Sequence, residues 1–174
     1  MVEGLILETP RLLLRKFTLQ DADALLLLLG DPVVMEFYPA TLDRKGVEEW
    51  IGRNLARYER DGHGLWAIVL KDNGELVGDC GCVLQEVEGR NEVEVGYQVR
   101  RDLWGNGYAT EAAGACMIYA FDELGANRVI SMIRPPNLRS RRVAEKNGLV
   151  CEKIIVWRGY EHCIYVKTPT EHKQ

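Results

Sequence analysis

The segment Leu103-Trp104-Gly105-Asn106-Gly107-Tyr108-Ala109-Thr110-Glu111-Ala112 constrains this chain more than any other. It joins the end of a strand-like run to the start of a long, Ala-rich, helix-like run. Two glycines sit at the junction, one residue apart. Glycine reaches backbone angles closed to other residues and lets a second molecule approach the main chain. The first turn of a helix also presents N–H groups without partners and a partial positive charge. A glycine turn that feeds a helix start is therefore a place where phosphate groups can be held.

The rest of the chain reads as a mixed α/β domain over residues 1–174, with no repeat, low-complexity linker or internal boundary. Arg11 to Phe17 predicts a first strand. Thr18 caps a predicted helix from Leu19 to Leu29, with Asp21 in its first turn. Asp31-Pro32 opens a short helical turn through Phe37, which Pro39 ends. Val47, Trp50, Ile51, Leu55 and Tyr58 recur at helical spacing between Asp43 and Arg60. Strands follow at Leu65–Leu70 and Glu75–Gln85, separated by the turn signal Asn73-Gly74. From Asn91 to Arg100 the sequence alternates. Val93, Val95, Tyr97 and Val99 share one face; Glu92, Glu94, Gly96 and Gln98 share the other. Beyond the glycine loop come a helix (Tyr108–Leu124), a strand (Arg128–Ile133), a helix (Asn137–Asn147, stopped by Gly148) and two strands (Leu149–Arg158 and Glu161–Lys167). An antiparallel meander thus passes into strand–helix–strand crossovers.

Composition excludes more than it assigns. The net charge of -4 gives no global basic signal for nucleic acid, and a mildly acidic surface suits a cationic substrate. The apolar run Leu25–Leu29 is too short to cross a bilayer. The start Met1-Val2-Glu3-Gly4 has no signal-peptide pattern, so a cytoplasmic protein is expected. Cys80, Cys82, Cys116, Cys151 and Cys163 lack Cys-x-x-Cys spacing and read as small core side chains. His63, His162 and His172 form no ligand spacing, and no metal site is expected.

Two separated motifs complete the reading. One is Trp104-Gly105-Asn106-Gly107-Tyr108-Ala109-Thr110-Glu111-Ala112. The other is Asn137-Leu138-Arg139-Ser140-Arg141-Arg142-Val143-Ala144-Glu145-Lys146-Asn147-Gly148-Leu149. Glu94-Val95-Gly96-Tyr97 precedes them. Together they resemble the GNAT superfamily of acyl-CoA N-acyltransferases. With the opening Leu7-Glu8-Thr9-Pro10-Arg11-Leu12-Leu13-Leu14-Arg15, the chain looks most like the branch that contains the ribosomal-protein N-terminal acetyltransferases. The resemblance covers roughly Leu7 to Lys167. It implies a twisted mixed sheet that splays between its fourth and fifth strands, here Asn91–Arg100 and Arg128–Ile133. Acetyl-CoA lies in that cleft as acyl donor, its pyrophosphate on the loop amides and its pantetheine arm along the fourth strand like an added strand. The coenzyme contacts implied are Tyr97, Gln98, Val99 and Arg100 on the strand, Gly105, Asn106, Gly107, Tyr108, Ala109 and Thr110 at the loop, and Asn137 and Ser140 on the second motif. Asp102 stands where many members carry Gln or Arg, with Arg100 and Arg101 beside it to offset its charge. A homodimer is in keeping with that branch.

The implied reaction is attack of a neutral primary amine on the acetyl thioester. Glu94 is the candidate general base, directly or through water, with a solvated strand glutamate as the alternative. A main-chain N–H near Tyr97 could meet the oxyanion. Asn137 matches a pantetheine contact and is equally suited to capping a helix. Ser140 matches a position that bonds the coenzyme sulfur; its alternative is a first-turn serine bonded to its own backbone. Relatives often place a tyrosine near the second helix as the acid, but no Tyr occurs from 120 to 159, which turns that role toward Ser140. Trp104 reads as packing, and Glu111 as a helix-start carboxylate. One of Arg139, Arg141 and Arg142 could reach the adenosine 3′-phosphate. Met35, Phe37, Tyr38 and Trp66 are candidate acceptor walls, or ordinary core.

The acceptors implied are protein N-termini, amino acids or small-molecule amines. A nonenzymatic acyl-CoA-binding sensor on the same scaffold is the other reading. A nicotinamide or flavin enzyme is a weak third reading, because the loop reads Gly105-x-Gly107-x-x-Thr110 and the next strand ends at Arg134 rather than at an acidic residue.

Overall fold

A computed structural model describes residues 2–169 of the chain. Its strands are β1 (Leu5–Glu8), β2 (Leu12–Arg15), β3 (Leu65–Leu70), β4 (Leu76–Val87), β5 (Arg90–Val99), β6 (Val129–Ile133), β7 (Val150–Trp157) and β8 (Tyr160–Lys167). Its helices are α1 (Ala22–Leu29), α2 (Arg44–Asp61), α3 (Tyr108–Asp122) and α4 (Leu138–Lys146). All the strands form one sheet in the order β1-β2-β3-β4-β5-β6-β8-β7. Pairings are antiparallel except β5 with β6, which is parallel and is reached through α3.

The sheet carries a core on each face. On one, Leu12, Ile68, Val95 and Val99 pack with Ala112, Cys116 and Met117 of α3 and Ala144 of α4. On the other, Ala67, Val69 and Leu76 pack with Leu25, Leu28 and Leu29 of α1 and Val47 and Ile51 of α2. The alternation read along β5 is therefore real: its odd residues face α3, leaving Glu94 and Gln98 on the face toward α1 and α2.

β5 and β6 pair only at Val93↔Val129 and Glu94↔Ile130. Beyond that point they part, as expected of the strands flanking the cleft. Ser131 stands at the fork and donates its buried hydroxyl to the Val95 carbonyl at 2.7 Å. Farther along, the Trp104 indole donates to the Val99 carbonyl at 2.7 Å. Both carbonyls lie on the open side. Because alternate residues of a strand point their main-chain groups the same way, Tyr97 between them presents its N–H and C=O there too.

Three expectations need correction. Leu5–Glu8 forms a strand of its own, and the expected strand Arg11–Phe17 shortens to Leu12–Arg15. The strands that part are thus the fifth and sixth. The predicted helix Leu19–Leu29 begins as a 3-10 turn over Leu19–Asp21, because Asp21 accepts from the Thr18 N–H at 2.8 Å and from Arg15 at 2.7 and 2.8 Å. The stretch from Asp31 to Phe37 is a chain of turns. There the Asp31 carboxylate takes the Val33 N–H at 2.8 Å, a local bond that competes with helix. His172 lies outside the described residues. Among them, no helix is long and apolar enough to cross a membrane.

Candidate active site

The glycine loop has the geometry its sequence requires. Gly105 and Gly107 adopt φ of 84° and 80°, in the left-handed region that costs other residues dearly. A side chain at Gly105 would meet nothing within 4 Å, so the glycine there serves backbone conformation rather than space. Gly107 caps α3. The first intrahelical bond runs from the Glu111 N–H to the Gly107 carbonyl at 3.0 Å, which leaves the amides of Tyr108, Ala109 and Thr110 without helical partners.

These amides border a cavity of about 410 Å³, which also takes in Tyr97, Gln98, Val99, Gly105, Asn106, Asn137 and Ser140. Its cationic members are Arg139, Arg142 and Lys146. A second cavity of about 410 Å³ lies on the other side of the cleft and contains Glu94, Trp50, Arg57, Arg134 and Trp157. Phe37, Tyr38, Tyr97, Asn137 and Ser140 border both. Two chambers thus meet beside the open edge of β5.

Most of the residues singled out in the sequence converge here; Arg100 does not. Its guanidinium is spent on Asp102 at 2.6 Å and Glu75 at 2.6 Å. Those hydrogen bonds raise it further above its usual value and hold the Asp102 carboxyl below its own. Asp102 is thereby neutralised, and Arg100 has no free donor fork for a phosphate. Among the candidate walls, Phe37 and Tyr38 stand between the chambers. Trp66 is fully buried, edge-on to Tyr119, and Met35 is buried and accepts from the Gln98 amide, so both belong to the core.

Asn137 caps α4 by accepting from the Ser140 N–H at 3.2 Å, while still bordering both chambers. The Tyr97 hydroxyl donates to the Ser140 carbonyl at 2.7 Å, tying β5 to the start of α4. The Ser140 hydroxyl forms no hydrogen bond among the described residues. Glu92 and Glu94 separate clearly. Glu92 pairs with Arg128 at 3.1 Å, whereas Glu94 forms no ion pair among the described residues and borders the second chamber. Burial pushes the Glu94 carboxyl up, opposed by donors on Gln85 and the Met132 main chain and by the charges of Arg57 and Arg158.

The acetyltransferase (GNAT) domain matches residues 11–150. The chain belongs to the GNAT acetyltransferase family. It is 40% identical over 150 residues to the Bacillus subtilis (strain 168) protein YkkB, covering 86% of this chain and 87% of that one. It matches the crystal structure of a GNAT-family acetyltransferase from Bacillus anthracis with a TM-score of 0.79 at 27% identity, covering 92% and 96% of the two chains. It shares its fold with RimL, a ribosomal L7/L12 alpha-N-protein acetyltransferase solved with coenzyme A (TM-score 0.75, 16% identity, 94% and 97% covered).

In this GNAT acetyltransferase the opening Thr9-Pro10-Arg11 has a mechanical task that the sequence did not disclose. Glu111 of α3 accepts from the Thr9 hydroxyl at 2.7 Å, the Arg11 N–H at 2.9 Å and Arg11 Nε at 2.6 Å. Arg11 also donates to the Asn106 carbonyl at 2.8 Å. The β1–β2 turn thereby clamps the glycine loop from behind. Burial alone would raise the Glu111 carboxyl, but the hydrogen bonds from Thr9 and Arg11 hold it below the usual range. Two further residues escaped the sequence reading. Lys146 borders the first chamber, one helical turn beyond Arg142. Asp79 of β4 is only 1% exposed, with Oδ2 unpartnered, and burial pushes it up to about 8.

Proposed function

We propose that the protein transfers the acetyl group of acetyl-CoA to a primary amine by direct attack within a ternary complex. The observation that carries this is the meeting of two chambers at Tyr97, Asn137 and Ser140, one floored by free helix-start amides and the other holding Glu94. The first suits the coenzyme. The amides of Tyr108, Ala109 and Thr110 would take the pyrophosphate, with Arg142 and Lys146 near enough to serve phosphate groups. The exposed main chain at Tyr97 would pair with the pantetheine arm. That arm would bring the thioester to the junction.

The amine enters from the Glu94 side. Its nitrogen attacks the acetyl carbonyl carbon, the oxygen takes up negative charge, and a main-chain N–H at Tyr97 answers that charge. Glu94 accepts the proton lost by nitrogen, directly or through a water. The C–S bond then breaks with its electron pair on sulfur, and the Ser140 hydroxyl donates a hydrogen bond or its proton to the thiolate. The products are an N-acetyl amine and coenzyme A. A carboxylate raised by burial is a stronger base than a solvated one, which suits the task.

The acceptor is an amine of a protein N-terminus, amino acid or small molecule. An α-amine has a reference pKa near ~8 against ~10.4 for lysine, so it needs less help to become nucleophilic. The alpha-amine specificity in RimL's name, on the same fold, supports that class. The five unpaired cysteines fit a reducing, cytoplasmic setting. The test is thiol release from acetyl-CoA with a broad amine and peptide panel, alongside coenzyme binding by calorimetry. Turnover with any amine supports the proposal. Tight coenzyme binding with no turnover across the panel would favour the sensor reading.

A further inference from the structure

The acceptor chamber is unusually cationic for a protein of net charge -4. Arg57, Arg134 and Arg158 all border it, together with His162, and Glu94 is the acidic member. None of the three guanidiniums forms an ion pair with a carboxylate among the described residues. Of the other arginines near the cleft, Arg100 pairs with Glu75 and Asp102, Arg101 with Asp31 and Arg139 with Glu36, and Arg142 of the first chamber is the one without an ion pair among the described residues. Unpaired guanidiniums are therefore concentrated where the acceptor would sit.

Each of the three is placed with care. Arg134 follows the end of β6, and its Nε is buried with no hydrogen-bond partner. Its guanidinium lies 4.2 Å from the Tyr160 ring centre, a cation–π contact. Arg158 lies 4.1 Å from the Trp157 ring centre. It occupies the β7–β8 turn at φ 48°, next to Gly159 at φ 83°, a position where asparagine is preferred over a long side chain. Arg57, on α2, keeps a single side-chain bond, to Asn54 at 3.2 Å. Desolvation, followed by the charges of Arg60 and Arg53, pulls its guanidinium below the usual value. A partly desolvated, unpaired guanidinium is costly, and an incoming anion recovers that cost. His162 is held down by burial and by the Arg134 charge.

We infer that the acceptor is a primary amine that also carries an oxyanion, a carboxylate or phosphate, seated by the forks of Arg134 and Arg158 with Arg57 behind them. This rests on the acetyl-transfer reading above and names its substrate class. The same cations act on the nucleophile. They repel an ammonium and so favour the neutral amine that attacks. The mild overall acidity of the chain suggested a cationic substrate; the local field of this chamber has the opposite sign. Surface carboxylates elsewhere set the net charge, but ones beyond about a Debye length are screened.

The test uses the full chain, acetyl-CoA and matched acceptors that differ only in the anion: β-alanine against β-alaninamide, phosphoethanolamine against ethanolamine, and C-terminally amidated Ser-Asp against amidated Ser-Asn. The first two pairs separate carboxylate from phosphate, and the third asks whether the source is a peptide. Expected is a kcat/KM at least about ten-fold higher for the anionic member of one pair, the worth of one charge-assisted hydrogen bond. In Arg158→Asn the turn gains a residue suited to φ > 0, so its melting temperature should be no lower than wild type while the preference falls. Arg134→Gln should also lose it. Equal or better turnover of the neutral members overturns this inference and leaves acetyl transfer standing. If no amine is turned over, binding of the same pairs to coenzyme-saturated protein is measured by calorimetry. Tighter binding of an anionic member supports the inference, and equal binding or none overturns it.

Discussion

Replacing Glu111 with Gln tests the clamp behind the glycine loop. Gln keeps the shape and one acceptor oxygen, so the bonds from Thr9 and the Arg11 N–H, at 2.7 and 2.9 Å, can survive. The second oxygen becomes an NH₂ group facing Arg11 Nε, now 2.6 Å from Oε2. A charge-assisted bond is lost and two donors confront each other. Such a bond is worth about 1.5–3 kcal/mol. Side-chain exposures of 48% for Arg11 and 17% for Glu111 call for a solvent discount, leaving about 1–2 kcal/mol. For a chain of this size that lowers Tm by roughly 2–8 °C. The sign with pH follows from the depressed carboxyl. Its contribution is fully present above the unfolded value of 4.5 and is lost as pH falls through the lower folded value. The gap between wild type and Glu111→Gln should therefore narrow on acidification below about 4.5. Urea unfolding of both single variants and the Glu111→Gln/Arg11→Met double variant gives the coupling. A wild-type Tm for Glu111→Gln, or strict additivity in the cycle, would refute the clamp.

Other outcomes follow from the same geometry. Glu94→Gln should lower kcat by about 10²–10⁴ with coenzyme Kd nearly unchanged. The rise of wild-type kcat/KM with pH, through a value raised above 4.5, should be absent in the variant. Gly107→Ala forces φ of 80° on a residue with a side chain, costing about 1–2 kcal/mol; weaker coenzyme binding by calorimetry or a lower Tm checks it. Asp79, raised by burial from 3.8 to about 8, favours folding while protonated. That stability is lost as pH climbs from 3.8 through about 8, so Asp79→Asn should flatten this part of the stability–pH curve in urea titrations and gain relative to wild type at pH 8–9.

What could be read from the sequence was local. The glycine loop was legible because only glycine sits easily at φ near 80°, and α2 because Val47, Trp50, Ile51, Leu55 and Tyr58 recur at helical spacing; its cap, Asp43 taking the Gly46 N–H at 2.8 Å, came from the structure. The face of β5 was legible from strict alternation. β1 was not, because its four residues are exposed or only half-buried on the sheet edge and carry no alternation. The roles that were missed depend on distant partners. Ser131 matters because Val95 is beside it, Glu111 because Thr9 and Arg11 reach it, and Arg134 and Arg158 because β6 and the β7–β8 turn bring them to one chamber. Arg100 misled for the same reason: its proximity to the loop was visible, its pairing with Glu75 was not.

The most direct test of the central claim is an amide ¹H–¹⁵N titration of the assigned protein with coenzyme A. The account predicts saturable shifts led by the main-chain amides of Tyr97, Gly105, Gly107, Tyr108, Ala109 and Thr110. Saturation of binding while these amides stay still, with shifts gathered elsewhere, would contradict it.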